Sequence, residues 1–215
     1  MAESWAKSSG EAAHGRAAQG KTAQGEAAQG EAAQRGAAQR GAAKTGKARV
    51  DLHLDLPGPH GSRVRLDIDT FAADFARAMA HLDRAATKEL DKAEIDPRLR
   101  ELIRIRASQL NGCAYCIDMH AKDARAIGET EQRIYGLAAW AETPYFTARE
   151  RAALAFTEAV TLLADTHVPD QAYQAVAAEF SPQEVAALVS LIVTINAWNA
   201  IGVSTRAWIP GSYQP

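Results

Sequence analysis

Hydrophobic side chains are unevenly spread along the 215-residue chain, and their spacing predicts helices over most of it. From residue 69 onward they recur every three or four positions, the period of an amphipathic helix. Asp69-Thr70 is expected to cap the first helix, and Thr147 with Glu150 forms a capping box. The predicted helices cover about 69–93, 97–110, 113–128, 129–141, 147–165, 170 onward and 181–208. We therefore predict an all-α domain of six to seven helices over residues 69–215.

Residues 49–68 show a different pattern, with apolar and polar positions alternating around a Pro-Gly-Pro turn. This alternation is typical of a short hairpin or of an extended arm, and the residues leave both open.

Residues 1–48 lack Ile, Leu, Val, Phe and Tyr, and Met1 and Trp5 are their large apolar side chains. A five-residue Ala/Gln/Gly-rich unit repeats within them. Such a segment cannot bury enough surface to offset the entropy of ordering it. We predict a disordered low-complexity tail; an organelle transit peptide is the alternative, against which its acidic residues and many glycines count.

Charge differs between the two parts of the chain. The tail carries seven Lys/Arg and four Asp/Glu, which leaves 17 Lys/Arg and 22 Asp/Glu for residues 49–215. A mildly acidic folded part argues against nucleic acid as a partner.

One apolar stretch could be mistaken for a membrane span, since residues 185–205 carry no charge. Two Asn and four hydroxyl side chains within it favour a core helix instead. No secretory signal pattern precedes the folded part. We expect a soluble, cytoplasmic protein with no membrane partner.

The candidate chemistry lies in the segment NGCAYCIDMH, residues 111–120, which contains both cysteines of the chain. If Asn111-Gly112 ends one helix, Cys113 lies near the start of the next and Cys116 falls in its first turn. The N-terminus of a helix favours a thiolate, and His120 lies four residues beyond Cys116 on the same face. This spacing suits a redox dithiol, but three ligands of a metal site and two inert buried thiols are alternatives.

The segment LRELIRIRASQLNGCAYCIDMHAKDARAIGE, residues 99–129, resembles the alkylhydroperoxidase D-like branch of the carboxymuconolactone decarboxylase family. AWAETPYFTARERAALAFTEAVT (139–161), THVPD (166–170) and LIVTINAWNAIGVSTR (191–206) extend the likeness to about residues 70–210. The resemblance implies an alkylhydroperoxidase-like enzyme with a redox dithiol at Cys113 and Cys116, supported by His120 and Glu101. It also implies a homo-oligomer, a trimer or hexamer, with no cofactor or metal.

Two positions modify this interpretation. Glu101 could be a surface ion pair with its neighbours Arg98 and Arg104, but its helix face suggests partial burial. Tyr115 stands where the best-known peroxidases of the family have a second histidine. A phenol donates a proton poorly at neutral pH, so proton delivery is expected to be slower or to pass through His120.

The resulting hypothesis is a thiol peroxidase that reduces hydrogen peroxide or alkyl hydroperoxides. Cys116 would attack the peroxide, Cys113 would close the disulfide, and an external dithiol would reduce the pair. A non-catalytic redox sensor and a lactone decarboxylase or isomerase that uses His120 and Glu101 are the alternatives. Trp140, Trp198 and Trp208 are expected in the core or in subunit contacts.

Overall fold

A computed structural model describes residues 64–215. The predicted tail over residues 1–48 and most of the predicted arm, residues 49–63, lie outside the described residues.

Residues 64–215 form an all-α structure without strands, as predicted. Seven of its α-helices have six or more residues, and two single turns accompany them. The helices are α1 (Ile68–Phe71), α2 (Ala73–Lys92), α3 (Pro97–Asn111), α4 (Ala114–Ala126), α5 (Glu131–Gly136), α6 (Ala148–Thr161), α7 (Leu163–Thr166), α8 (Asp170–Glu179) and α9 (Pro182–Thr205), with a 3-10 helix (Leu137–Glu142) after α5.

Several helix starts follow the predicted capping residues. Asp96 caps α3 by accepting a hydrogen bond from the Arg98 amide, directly before Pro97. The capping box of Thr147 and Glu150 begins α6. These side chains satisfy first-turn amides that have no partner within the helix.

The prediction for the first helix is wrong in its cap and its continuity. Asp67, not Asp69-Thr70, is the cap, and its Oδ1 accepts from the amides of Asp69 (3.1 Å) and Thr70 (3.2 Å). The helix then breaks at Ala72, where φ is −138° and ψ is 50°. Alanine carries no sequence signal for a break, so the periodicity could not reveal it.

Three other predicted helices end earlier than expected. The helix predicted over 129–141 changes into the 3-10 helix after Gly136. Helix α6, predicted to reach residue 165, ends at Thr161 before the single turn α7. Helix α9 ends at Thr205, because Arg206 adopts a left-handed conformation with φ 50°. Trp208 therefore lies beyond the helix predicted to contain it.

Helix α9 is the centre of the fold and packs against α2, α3 and α6. Its Leu188, Leu191 and Ile192 are almost fully buried and belong to a cluster that also includes Leu90 and Ile103. Within the described residues α9 alone is long and apolar enough to cross a membrane. The same length and composition are typical of a core helix, and its packed faces support that interpretation.

Candidate active site

The turn between α3 and α4 places the two cysteines. Gly112 has φ 68°, a conformation that costs a side-chain-bearing residue energy, and it ends α3. The amide of Cys113 then donates to the carbonyl of Ser108 at 3.0 Å, which fixes the chain direction into α4. The Asn111-Gly112 pair thus acts as the predicted helix stop.

Cys113 and Cys116 form a disulfide at the start of α4. Cys113 is the N-cap residue and Cys116 lies in the first turn, as the spacing predicted. Both are buried, with 2% and 3% of their surface exposed. No described side chain caps this helix start, so its first amides remain available to a negatively charged sulfur.

His120 and Glu101 meet behind the disulfide, although they belong to α4 and α3. The Nδ1 atom of His120 lies 2.8 Å from Oε2 of Glu101, and both side chains are buried. The Nδ1–H group donates a hydrogen bond to the carboxylate, and in this tautomer Nε2 is free to accept a proton. The four sequence-predicted residues therefore come together at one place.

Arg104 completes the charge balance of this pair by forming an ion pair with Glu101 one turn along α3. Burial alone would raise the pKa of Glu101. The hydrogen bond from His120 and the positive charge of Arg104 outweigh burial, so the pKa lies below the usual glutamate value. Glu101 is therefore a carboxylate at neutral pH and not the exposed ion pair considered as an alternative.

Cys116 and His120 line the same cavity, which has a volume of about 380 Å³. Ionisable side chains form one part of its wall: Asp83, Arg104 and Asp123. Apolar and aromatic side chains form the rest: Tyr115, Met119, Leu191, Ile195, Trp198 and Trp208. A mostly apolar cavity with a few converging polar groups is the usual form of a small-molecule site.

Two of the tryptophans that were expected in the core or in subunit contacts line this cavity, and Trp198 also packs against the buried cluster that contains both cysteines. Trp198 and Trp208 line the cavity, with ring centroids 5.7 Å apart, and Trp208 lies 5.6 Å from the ring of Tyr115. Trp140 is elsewhere and donates from its Nε1 to Glu158 at 2.6 Å. Trp198 and Trp208 therefore belong to the candidate site.

The segment after α9 folds back over α4, which no local signal in the sequence indicated. The hydroxyl of Tyr213 donates to Asp123 at 2.8 Å, and Lys122 donates to the Tyr213 carbonyl at 2.9 Å. The same lysine bonds Asp118, which also accepts from the Gly211 amide at 3.1 Å. Asp123 could have been suspected from its position three residues after His120, whereas Trp208 and Tyr213 could not.

A buried polar network connects α9 with α3, the helix that ends at the turn before Cys113. Asn199 is fully buried, and its amide donates to Ser108 Oγ at 3.0 Å. Its Oδ1 accepts from Asn111 at 3.0 Å, and Asn111 also bonds Asn196 at 2.7 Å. These contacts hold Ser108 and Asn111, which both lie near the end of α3 just before the turn to Cys113.

Glu101, His120 and Asp123 offer ligand atoms within 4.8 Å of one another, a spacing that a metal ion could use. Protein partners already engage these groups, since Arg104 pairs with Glu101 and Tyr213 bonds Asp123. That no metal or cofactor is required stays a prediction.

Comparison with known proteins places this geometry in a family. The family model of the carboxymuconolactone decarboxylase family matches residues 73–159, which include Glu101, both cysteines and His120. The uncharacterized protein YdfG of Bacillus subtilis (strain 168) is 46% identical over 117 residues, covering 54% of this chain and 80% of YdfG. The chain belongs to this family. The cysteine pair and the similar solved structures described next assign the chain to the AhpD-like branch of the family.

Among solved structures, ATU0492 of Agrobacterium tumefaciens is 35% identical and has a TM-score of 0.64, with 69% of this chain and 99% of that chain covered. It is a protein of unknown function for which an AhpD antioxidant-defence role has been suggested. The alkylhydroperoxidase AhpD core of a peroxidase-related protein from Ralstonia eutropha JMP134 is 19% identical (TM-score 0.58; 67% and 74% covered). The debrominase Bmp8 is also 19% identical (TM-score 0.55; 65% and 73% covered). The last two likenesses concern the fold alone.

Proposed function

We propose that this chain is a thiol-dependent peroxidase that reduces hydrogen peroxide or alkyl hydroperoxides through a dithiol/disulfide cycle. One observation carries the proposal: Cys116 shares its cavity with His120, whose other ring nitrogen contacts the buried Glu101. A base beside a thiol, oriented by a carboxylate, is the arrangement that activates a sulfur nucleophile.

In the proposed cycle His120 accepts the proton of the Cys116 thiol. The thiolate attacks one peroxide oxygen, the O–O bond breaks, and the leaving oxygen takes a proton from the imidazolium. Cys116 is then a sulfenic acid. Cys113 attacks this sulfur, the hydroxyl leaves as water, and the disulfide forms. An external thiol reductant restores the dithiol and completes the cycle.

The assignment of Cys116 as the attacking sulfur is supported by its place on the cavity wall. Cys113 lines a different cavity, so a peroxide bound beside His120 meets Cys116. In this assignment Cys113 resolves the sulfenic acid from the neighbouring position at the helix start.

Steady-state peroxide consumption by the full chain with a dithiol reductant tests the proposal. We expect many turnovers for the wild type and none for Cys116→Ser. Consumption of one equivalent of peroxide with no further turnover, although reductant is in excess, would indicate a redox sensor instead.

The cysteine order is tested separately by trapping the sulfenic acid with dimedone. We expect the adduct on Cys116 in Cys113→Ser and no adduct in Cys116→Ser. The reverse pattern would exchange the two roles without removing the peroxidase activity.

We further propose that the chain assembles as a homo-oligomer, a trimer or hexamer. Exposed apolar side chains recur at helical spacing on two helices that pack together, Phe75 and Leu82 on α2 and Val189 and Val193 on α9. Exposed apolar surface of this kind is typical of contact surfaces. Light scattering on the wild type and on Val193→Glu measures the mass, and a monomeric wild type would contradict the proposal.

A further inference from the structure

A second cavity, of about 220 Å³, lies on the other side of the disulfide. Cys113 lines this cavity and not the first, whereas Cys116 lines the first and not the second. Tyr115 and Trp208 line both, so their rings form the partition between them. The two cysteines of one disulfide therefore line two separate cavities.

The second cavity is positively charged. Arg65 and Arg206 lie on its wall, and no carboxylate side chain is among the described residues that line it. Within residues 64–215, neither arginine forms an ion pair with a carboxylate. Two guanidinium groups that have no carboxylate partner within residues 64–215, beside a small cavity, are suited to a carboxylate or another small anion.

Backbone contacts hold both arginines at this wall. The Arg65 amide donates to the Thr205 carbonyl at 2.8 Å, and its guanidinium donates to the Ser204 carbonyl at 3.4 Å. The Arg206 amide donates to the Gly202 carbonyl at 2.9 Å. The chain around both charges is therefore fixed relative to the end of α9 and to Cys113.

We propose that this second cavity is the reductant site and that it binds a small thiol carrying a carboxylate. The inference rests on the proposed dithiol cycle and adds to it the class of the reductant and its point of attack. The arginines bind the carboxylate and so place the thiol against Cys113. A cavity of this volume admits a small molecule. A reductant bound there would lie on one side of Tyr115 and Trp208 and the peroxide on the other side.

Reduction of the protein disulfide takes two thiol–disulfide exchange steps. The thiolate of the reductant attacks Sγ of Cys113, the S–S bond breaks, and Cys116 leaves as a thiolate that His120 can protonate. A mixed disulfide between Cys113 and the reductant results. A second thiolate, from the same molecule if the reductant is a dithiol, attacks the reductant's sulfur and releases Cys113 as a thiolate. Two thiols are oxidised and one protein disulfide is reduced.

The test measures this half-reaction in the oxidised full chain without any peroxide. The probes are β-mercaptopropionate and its neutral amide, which differ in the carboxylate. Free cysteines are counted by acid quenching, alkylation and intact mass. We expect Arg206→Gln and Arg65→Gln each to slow reduction by β-mercaptopropionate roughly tenfold, the size of one lost charge-assisted contact, and to change the amide rate little.

Arg84→Gln is the matched control, since it removes an equal charge from an exposed position that lines none of these cavities. It should leave the ratio of the two probe rates as in the wild type, and Arg206→Lys should restore most of the preference. Equal slowing of both probes, or no slowing of either, would overturn the reductant site. Because the test uses no peroxide, its result is independent of whether the chain is a peroxidase.

Gly202 supplies a second variant, in which an added methyl group fills space without changing the charge. A Cβ at this position would lie 3.2 Å from Sγ of Cys113 and 3.4 Å from the Trp208 ring, closer than most such contacts. We expect Gly202→Ala to slow reduction by both probes while dimedone trapping on Cys116 in a Cys113→Ser background is unchanged. An unaltered reduction rate would show that thiols do not approach Cys113 from this cavity.

Discussion

His120 Nδ1 and Glu101 Oε2 are 2.8 Å apart, a buried contact between adjacent helices that fixes the orientation of the imidazole. We expect Glu101→Gln to lower kcat/KM for peroxide by about tenfold to a hundredfold, because the amide no longer stabilises the protonated imidazole. Stopped-flow oxidation of the reduced protein measures the change. Glu101→Asp should retain more activity than Glu101→Gln.

Glu158→Gln is a matched control, since Glu158 also bonds an arginine, Arg106, but lines none of the cavities.

The folded-state pKa of Glu101 is lowered, so its contribution to stability is present above its ordinary value of 4.5 and is lost as the pH falls through the folded-state value. The stability gap between wild type and Glu101→Gln should therefore narrow in acid. A gap that is constant with pH would contradict the ionised pair.

Tyr115 offers a test of proton delivery. We expect Tyr115→His to raise the rate of peroxide reduction several-fold near neutral pH, because an imidazole with a pKa of about 6.5 transfers protons more readily than a phenol at about 10. Tyr115→Phe removes the hydroxyl but keeps the ring against Trp208 and should change the rate little. If Tyr115→His were slower than Tyr115→Phe, the proton would not pass through this position.

Asn199 gives a prediction about stability. Replacement by alanine removes the buried hydrogen bonds that Asn199 makes with Ser108 and Asn111 and opens a small cavity, so we expect a loss of about 3 kcal/mol in the free energy of unfolding. Urea denaturation measures it. Asn196→Ala, which removes a less buried member of the same network, should cost less. Equal costs would mean that burial of Asn199 is not what makes it important.

Tyr213 gives a prediction in the alkaline range. Its hydrogen bond to Asp123 raises its pKa from 10.0 to about 12, with smaller contributions from burial and from the charges of Asp123 and Glu101. The folded state thus favours the neutral phenol, so the stabilisation is complete below pH 10.0 and is lost as the pH rises towards about 12. Thermal melts should show wild type and Tyr213→Phe converging over that interval, and parallel curves would contradict the bond.

The local parts of this structure could be predicted from the sequence because their causes are local. Capping boxes, the proline after Asp96 and the glycine after Asn111 all act within one helical turn. They located most helix starts and put Cys113 at a helix N-cap. The spacing of Cys116 and His120 on one helix then indicated the core of the candidate site.

Features that depend on distant contacts could not be predicted in this way. The break at Ala72 and the end of α9 before Arg206 occur at residues with no breaking tendency, where tertiary contacts override local preference. The return of the chain from Arg206 to Tyr213 depends on Lys122 and Asp123, some 90 residues earlier. The aromatic partition between the two cavities was missed for the same reason.

The position of Trp208 has a practical consequence. Its ring and that of Trp198 lie beside a disulfide that opens and closes in the proposed cycle, and disulfides quench indole emission at close range. We therefore expect the indole fluorescence to report whether the disulfide is open or closed. Oxidation and reduction can each be followed in real time by fluorescence without labels, and Trp208→Phe and Trp198→Phe identify which indole reports.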